Sequence, residues 1–116
     1  LSLADSADFD FLGDENGDYT VETWANFNTT ASTDVIITQY EDSNKYWGLY
    51  HTHNGGVRFL SVNGGTTSID ISGGEIIENG WHHLAIVKQS LQFGLYKDGL
   101  LVASGALTPG ESYSPF

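Results

Sequence analysis

With 116 residues, 40% of them hydrophobic and 13% aromatic, the chain can close a core of its own, which excludes disorder as its default state. Fifteen acidic residues against four Lys and Arg leave a formal charge of −11, a balance that repels phosphate backbones and argues against nucleic acid and anionic membranes as partners. Cysteine is absent, which removes disulfides, thiolate metal sites and cysteine nucleophiles, and no apolar run is long enough for a membrane-spanning helix.

The length implies one domain, 1–116. Because the chain starts at Leu1 and holds no methionine, it is expected to be a processed product or part of a longer chain.

Turn signals recur at short intervals, from Asn16-Gly17 and Ser43-Asn44 through Asn54-Gly55-Gly56 and Asn63-Gly64-Gly65 to Asn79-Gly80 and Asp98-Gly99. Between them lie short runs of Val, Ile, Thr, Tyr, Phe and Trp, the pattern of an all-β sandwich. Strands are predicted near 2–4, 19–27, 34–39, 46–52, 57–62, 66–71, 81–89, 92–97 and 100–104, with no long helix. Period-2 alternation puts Tyr19, Val21, Thr23, Ala25 and Phe27 on one face of the 19–27 strand, and Glu22 and Trp24 on the other. Bulky residues on both faces predict a central strand, covered on both sides. In 81–89, Leu84 and Ile86 alternate with Trp81, His83, Ala85 and Val87. Asp98-Gly99 supplies the two positive φ angles of a type I′ hairpin turn.

Three segments in this order, Asp18-Tyr19-Thr20-Val21-Glu22-Thr23-Trp24, Tyr46-Trp47-Gly48-Leu49-Tyr50, and Trp81-His82-His83-Leu84-Ala85-Ile86-Val87 followed by Leu95-Tyr96-Lys97-Asp98-Gly99, carry a family resemblance. They resemble the laminin-G-like and pentraxin-like branch of the concanavalin A-like lectin/glucanase superfamily. The opening Leu1 to Phe11 is similar to the start of such domains, including copies in bacterial and phage surface proteins. The resemblance implies an all-β, two-sheet antiparallel jelly-roll sandwich. It also implies closing C-terminal strands, which have no counterpart up to Phe116, so missing sequence or a neighbouring subunit is expected to cover that edge.

Candidate sites follow from side-chain chemistry. Tyr46, Trp47 and Tyr50, with His51, His53 and Asn54 beside them, could stack a sugar and hydrogen-bond its hydroxyls. His51 and His53 share a strand face at a spacing that could also present two imidazoles to a metal. Asp14, Asn16 and Asp18 cluster oxygens around a tight turn that could take Ca²⁺, a cation found in relatives, although the turn lacks the EF-hand spacing. Glu22, Trp24, Trp81, His82, His83, Asp98 and Gly99 are read as framework; the resemblance supports this for the histidines, one of them placed beneath Trp81. Asn28-Thr29-Thr30 matches the N-glycosylation acceptor pattern.

The chain lacks the Glu-x-Asp-x-Glu strand motif of glycosidases on the resembled fold, and Arg58 is its one arginine. The expected function is therefore non-enzymatic. It is a structural, decoration or adhesion domain of a larger extracellular, cell-surface or virion assembly, or alternatively a carbohydrate-binding lectin module. Other protein subunits or cell-surface glycans are the expected partners, without membrane insertion.

Overall fold

The computed structural model describes residues 17–29, 31–53, 56–75 and 79–107. They form eight strands: β1 (Tyr19–Asn26), β2 (Asp34–Asp42), β3 (Lys45–Thr52), β4 (Gly56–Asn63), β5 (Thr66–Gly73), β6 (Trp81–Gln89), β7 (Gln92–Lys97) and β8 (Leu100–Ala106). Each matches a predicted segment to within a few residues; the segment 2–4 lies outside the described residues. No helix among the described residues is long and apolar enough to cross a membrane.

Two antiparallel four-stranded sheets result, in the orders β1-β6-β7-β8 and β2-β3-β4-β5. They are the predicted two-sheet sandwich. Among the described residues β1 is an edge strand, not a central one. Its Tyr19, Val21, Thr23 and Ala25 are half-buried, while Thr20, Glu22, Trp24 and Asn26 face solvent. Bulk on both faces of a strand therefore did not mean cover on both faces: Trp24 is 63% exposed.

The inner faces meet in a core that includes Leu49, Val57, Phe59, Leu84, Ile86, Phe93 and Leu95. An aromatic column joins the sheets. Trp47 lies 6.1 Å from Phe59, Phe59 stacks on Phe93 at 5.8 Å across the interface, and Tyr19 meets Phe93 edge-on at 6.4 Å. Lys88 is fully buried on β6, with its Nζ donating to the Gly17 carbonyl (2.6 Å) near the Tyr19 ring. A buried ammonium needs such partners, since desolvation would otherwise disfavour its charge.

The tripeptide Gly-Leu-Tyr occurs in both sheets, as Gly48-Leu49-Tyr50 on β3 and Gly94-Leu95-Tyr96 on β7. Each leucine points inward and is fully buried. Each tyrosine folds outward across its own glycine: a Cβ on Gly48 would meet the Tyr50 ring, and one on Gly94 would lie 2.9 Å from Tyr96 Cε2. The ring covers backbone that glycine alone would leave to solvent.

Where β5 and β8 approach, Gly73 has no room for a side chain, because its Cβ would run into the Val102 carbonyl oxygen. Backbone cannot rotate away as a side chain can. Gly73→Ala is expected to destabilise the domain by about 1–3 kcal/mol. Ser72→Ala, at the exposed neighbour, should stay within about 0.5 kcal/mol of the parent. Urea unfolding of the two variants checks this, and equal midpoints would contradict the close approach.

Candidate functional site

The outer face of the β2–β5 sheet is built from three cross-strand rows set by the register. They are Tyr40–Tyr46–Val62–Thr67, Thr38–Gly48–Leu60–Asp70 and Val35–Tyr50–Arg58–Ser72. At one corner the Tyr40 and Tyr46 rings lie 5.6 Å apart. Tyr50 covers Gly48, and its hydroxyl meets that of Thr38, whose own proton goes to the Trp47 carbonyl (2.7 Å). Burial pushes the Tyr50 hydroxyl above the ordinary tyrosine value, so it stays a neutral phenol at physiological pH.

Arg58 adds the one guanidinium. Its Nε and Nη2 donate to the two carboxylate oxygens of Asp70, each at 2.7 Å. This two-pronged bond holds the Asp70 carboxyl below its usual value and raises Arg58. The face thus carries aromatic rings, hydroxyls and a charge-balanced pair, a set that binds neutral polar ligands better than ions.

The structure splits the predicted ligand set. Tyr46 and Tyr50 lie on this face. Trp47 and His51, on the same strand, point the other way and are buried. Trp47 is core, its Nε1 donating to Gln39 Oε1 (2.9 Å). His51 is fully buried and stacked on Phe27 at 4.6 Å, with Asp34 Oδ2 3.6 Å from Nδ1. Both of its ring nitrogens, and Ser61 Oγ, lack a hydrogen-bond partner among the described residues. His53 sits past the end of β3, exposed, its Nδ1 against the Ala31 carbonyl. The two imidazoles are therefore not offered to one metal, because one is sealed in the core.

Asp18 holds a turn: its Oδ1 accepts the Ser90 N–H at 2.7 Å. Asn54, Asp14 and Asn16 lie outside the described residues. Within the described residues no three metal-ligating side chains converge.

Five of the residues expected as framework, Glu22, Trp24, His82, His83 and Asp98, are linked at the start of β6. Asp98 Oδ2 accepts from His82 Nδ1 and its Oδ1 from the His83 N–H, both at 2.9 Å, while its own N–H donates to the His83 carbonyl (2.8 Å). His83 Nε2 reaches Glu22 Oε2 (2.8 Å), and its ring leans on Trp24 at 5.2 Å. His82 is buried at the core side, and Trp81 does not cover it, being 67% exposed. Asp98 and Gly99 take φ of 50° and 81°, as a type I′ turn requires. Sequence reasoning passed over Arg58 and Asp70 as a site. The signal was the separation of twelve residues across a tight β4–β5 hairpin, which places the two side chains diagonally.

A family model described as the concanavalin A-like lectin/glucanases superfamily, of laminin G type, matches residues 3–115. The chain belongs to this superfamily, as a laminin-G-like domain. Laminin-G-like domains are binding and adhesion modules, typically of extracellular proteins. Among solved structures, domains LG4-5 of the mouse laminin alpha1 chain share the fold, with a TM-score of 0.62 at 19% identity. The match covers 84% of this chain and 26% of that one, so this chain spans about a quarter of its length. No curated protein matches the chain.

Proposed function

We propose that this domain is a non-enzymatic adhesion module of an extracellular, cell-surface or virion assembly, and that the outer face of β2–β5 takes neutral glycans. The observation that carries the reading is Tyr50 beside the Arg58–Asp70 pair, two rows from the Tyr40–Tyr46 rings, with its own ring laid across Gly48 in the row between. A sugar stacks its C–H face on such rings, and an Arg–Asp pair offers donors and acceptors to its hydroxyls without net charge.

A glycan array probed with the domain tests this. Tyr50→Ala is expected to weaken the strongest signals about tenfold or more, and Arg58→Ala to do the same. Gly48→Ala keeps the fold but displaces the Tyr50 ring, and should weaken the same spots. The pattern should be unchanged in EDTA, because Asp70 is held by Arg58 and Asp18 by the Ser90 N–H. Loss of signal in EDTA would point instead to calcium at the Asp14, Asn16 and Asp18 turn.

A second reading, a structural subunit, is favoured by β2. Among the described residues this strand is an edge with Val35 59% and Ile37 37% exposed, the kind of edge that pairs with another chain. A monomer at all concentrations in sedimentation would remove that reading.

A further inference from the structure

The β2–β3 hairpin holds two tyrosines side by side at the surface. Tyr40 and Tyr46 are register partners, so both side chains leave the sheet on the same side. Their ring centroids lie 5.6 Å apart with the planes tilted by 35°, and Tyr40 is 63% exposed.

The hairpin fixes this arrangement. Only Ser43 and Asn44 separate β2 from β3. Asp42 Oδ1 accepts the Asn44 N–H (2.7 Å), and Lys45 Nζ lies 2.9 Å from Glu41 Oε2. From the neighbouring hairpin the Gly65 N–H donates to the Asn44 carbonyl (3.0 Å). Backbone motion that would part the two rings has to break these contacts.

Composition adds a second constraint. The chain has no Cys and no Met, so no sulfur intercepts an oxidant, and oxidation falls on tyrosine and tryptophan. Tyr19 meets Phe93 edge-on, Tyr50 lies across Gly48 with its hydroxyl on Thr38, and Tyr96 lies against Gly94 on the other sheet. Among the described residues, Tyr40 and Tyr46 are the two tyrosines whose rings meet.

We infer that Tyr40 and Tyr46 are an oxidative cross-linking site, joined within one molecule into a dityrosine by a haem peroxidase with hydrogen peroxide. Each phenol gives one electron to the peroxide-activated haem and one proton to solvent, leaving two phenoxyl radicals. Their unpaired spin extends to the ring carbons ortho to oxygen. Coupling of the two radicals there forms one C–C bond. The hydrogen on each coupled carbon then leaves as a proton while one returns to each oxygen, which restores both phenols. Two tyrosines and one hydrogen peroxide thus give one dityrosine and two water molecules. Because the rings already adjoin, coupling needs rotation about side-chain bonds alone.

The link has a structural consequence. Among the described residues β2 is an edge strand, hydrogen-bonded to β3 alone, and it exposes Val35 and Ile37. A covalent bridge at Tyr40 ties this edge to β3 and opposes its peeling. The reaction needs no glycan, so its failure would leave the adhesion reading untouched.

The test treats the folded domain, at micromolar concentration, with a haem peroxidase and limiting hydrogen peroxide, alongside Tyr40→Phe, Tyr46→Phe and Tyr96→Phe. Phenylalanine keeps each ring and removes the phenol. The parent and Tyr96→Phe are expected to gain biphenol fluorescence and to remain monomers. Digestion should release a peptide that joins Tyr40 to Tyr46 and is lighter by two hydrogen atoms. Either hairpin variant should lose about tenfold or more of the fluorescence, since coupling between molecules lacks the proximity of the pair. Amide hydrogen exchange from Thr38 to Glu41 should slow in the linked protein. The proposal is overturned if the product is a covalent dimer instead of a linked monomer, or if the hairpin variants fluoresce like the parent. Uptake of oxygen by Trp24 or Trp81 with both tyrosines left unlinked would overturn it too. Should Tyr46→Phe unfold, Tyr40→Phe decides the matter, because its ring is exposed.

Discussion

Phe59→Ala is expected to lower stability by about 3–5 kcal/mol. Phe59 is 1% exposed on β4 and sits in the aromatic column, 6.1 Å from Trp47 in its own sheet and 5.8 Å from Phe93 in the facing one. Removing its ring forfeits the transfer free energy of the side chain. It also leaves a hole bounded by two large rings on different sheets, which cannot both collapse into it without sliding the sheets. A fall in Tm on the order of 10–20 °C follows for a chain of this size. Phe59→Leu keeps most of the volume and should recover more than half of the loss. A Tm within a few degrees of the parent for Phe59→Ala would show that the column does not bear on the packing.

Asp98→Ala is expected to cost about 1–3 kcal/mol at neutral pH, because it strands the donors of buried His82 and of the His83 backbone together. Asp98→Asn should cost less, since asparagine keeps an acceptor and tolerates the φ of 50° at this position. The two hydrogen bonds, the one from His82 the larger, hold the Asp98 carboxyl below its ordinary value. The sign follows. A depressed carboxylate adds stability that is fully present above its unfolded pKa, about 3.9, and is lost as pH falls through the lower folded value. Asp70, lowered by Arg58, acts in the same direction, so the parent's own acid sensitivity combines both. Urea midpoints of the parent and Asp98→Asn from pH 7 to pH 2 separate them. The gap between the two proteins should hold steady down to about pH 4 and then close. A gap that closes near neutrality, or stays open at pH 2, contradicts the assignment.

Much of the fold was legible because it is local. Turn residues and period-2 alternation locate eight strands, and Asp98-Gly99 specifies its hairpin through backbone conformations that few other residue pairs adopt. The hydrogen bonds of His82 and the His83 N–H to Asp98 follow from the β6–β7 hairpin, since its register brings the three residues together. Which side of a strand faces the core was harder. On β3 both faces carry large side chains, Tyr46 and Tyr50 on one and Trp47, Leu49 and His51 on the other, and alternation cannot rank them. β1 shows the converse error, where Glu22 and Trp24 suggested a covered face that the described residues leave open.

From the sequence alone came the sandwich class, the strands, the hairpin and the acidic surface, all properties of short segments or of composition. Tertiary structure decided which tyrosines form a surface and which histidine is sealed beneath it, because the stacking of two sheets selects one face of every strand at once. It also paired Arg58 with Asp70 and aligned Thr20, Val87, Gly94 and Ser104 in a row. Register makes each set neighbours: Arg58 and Asp70 sit diagonally across one hairpin, and Thr20 of β1 meets Val87 of β6 from far away in the sequence.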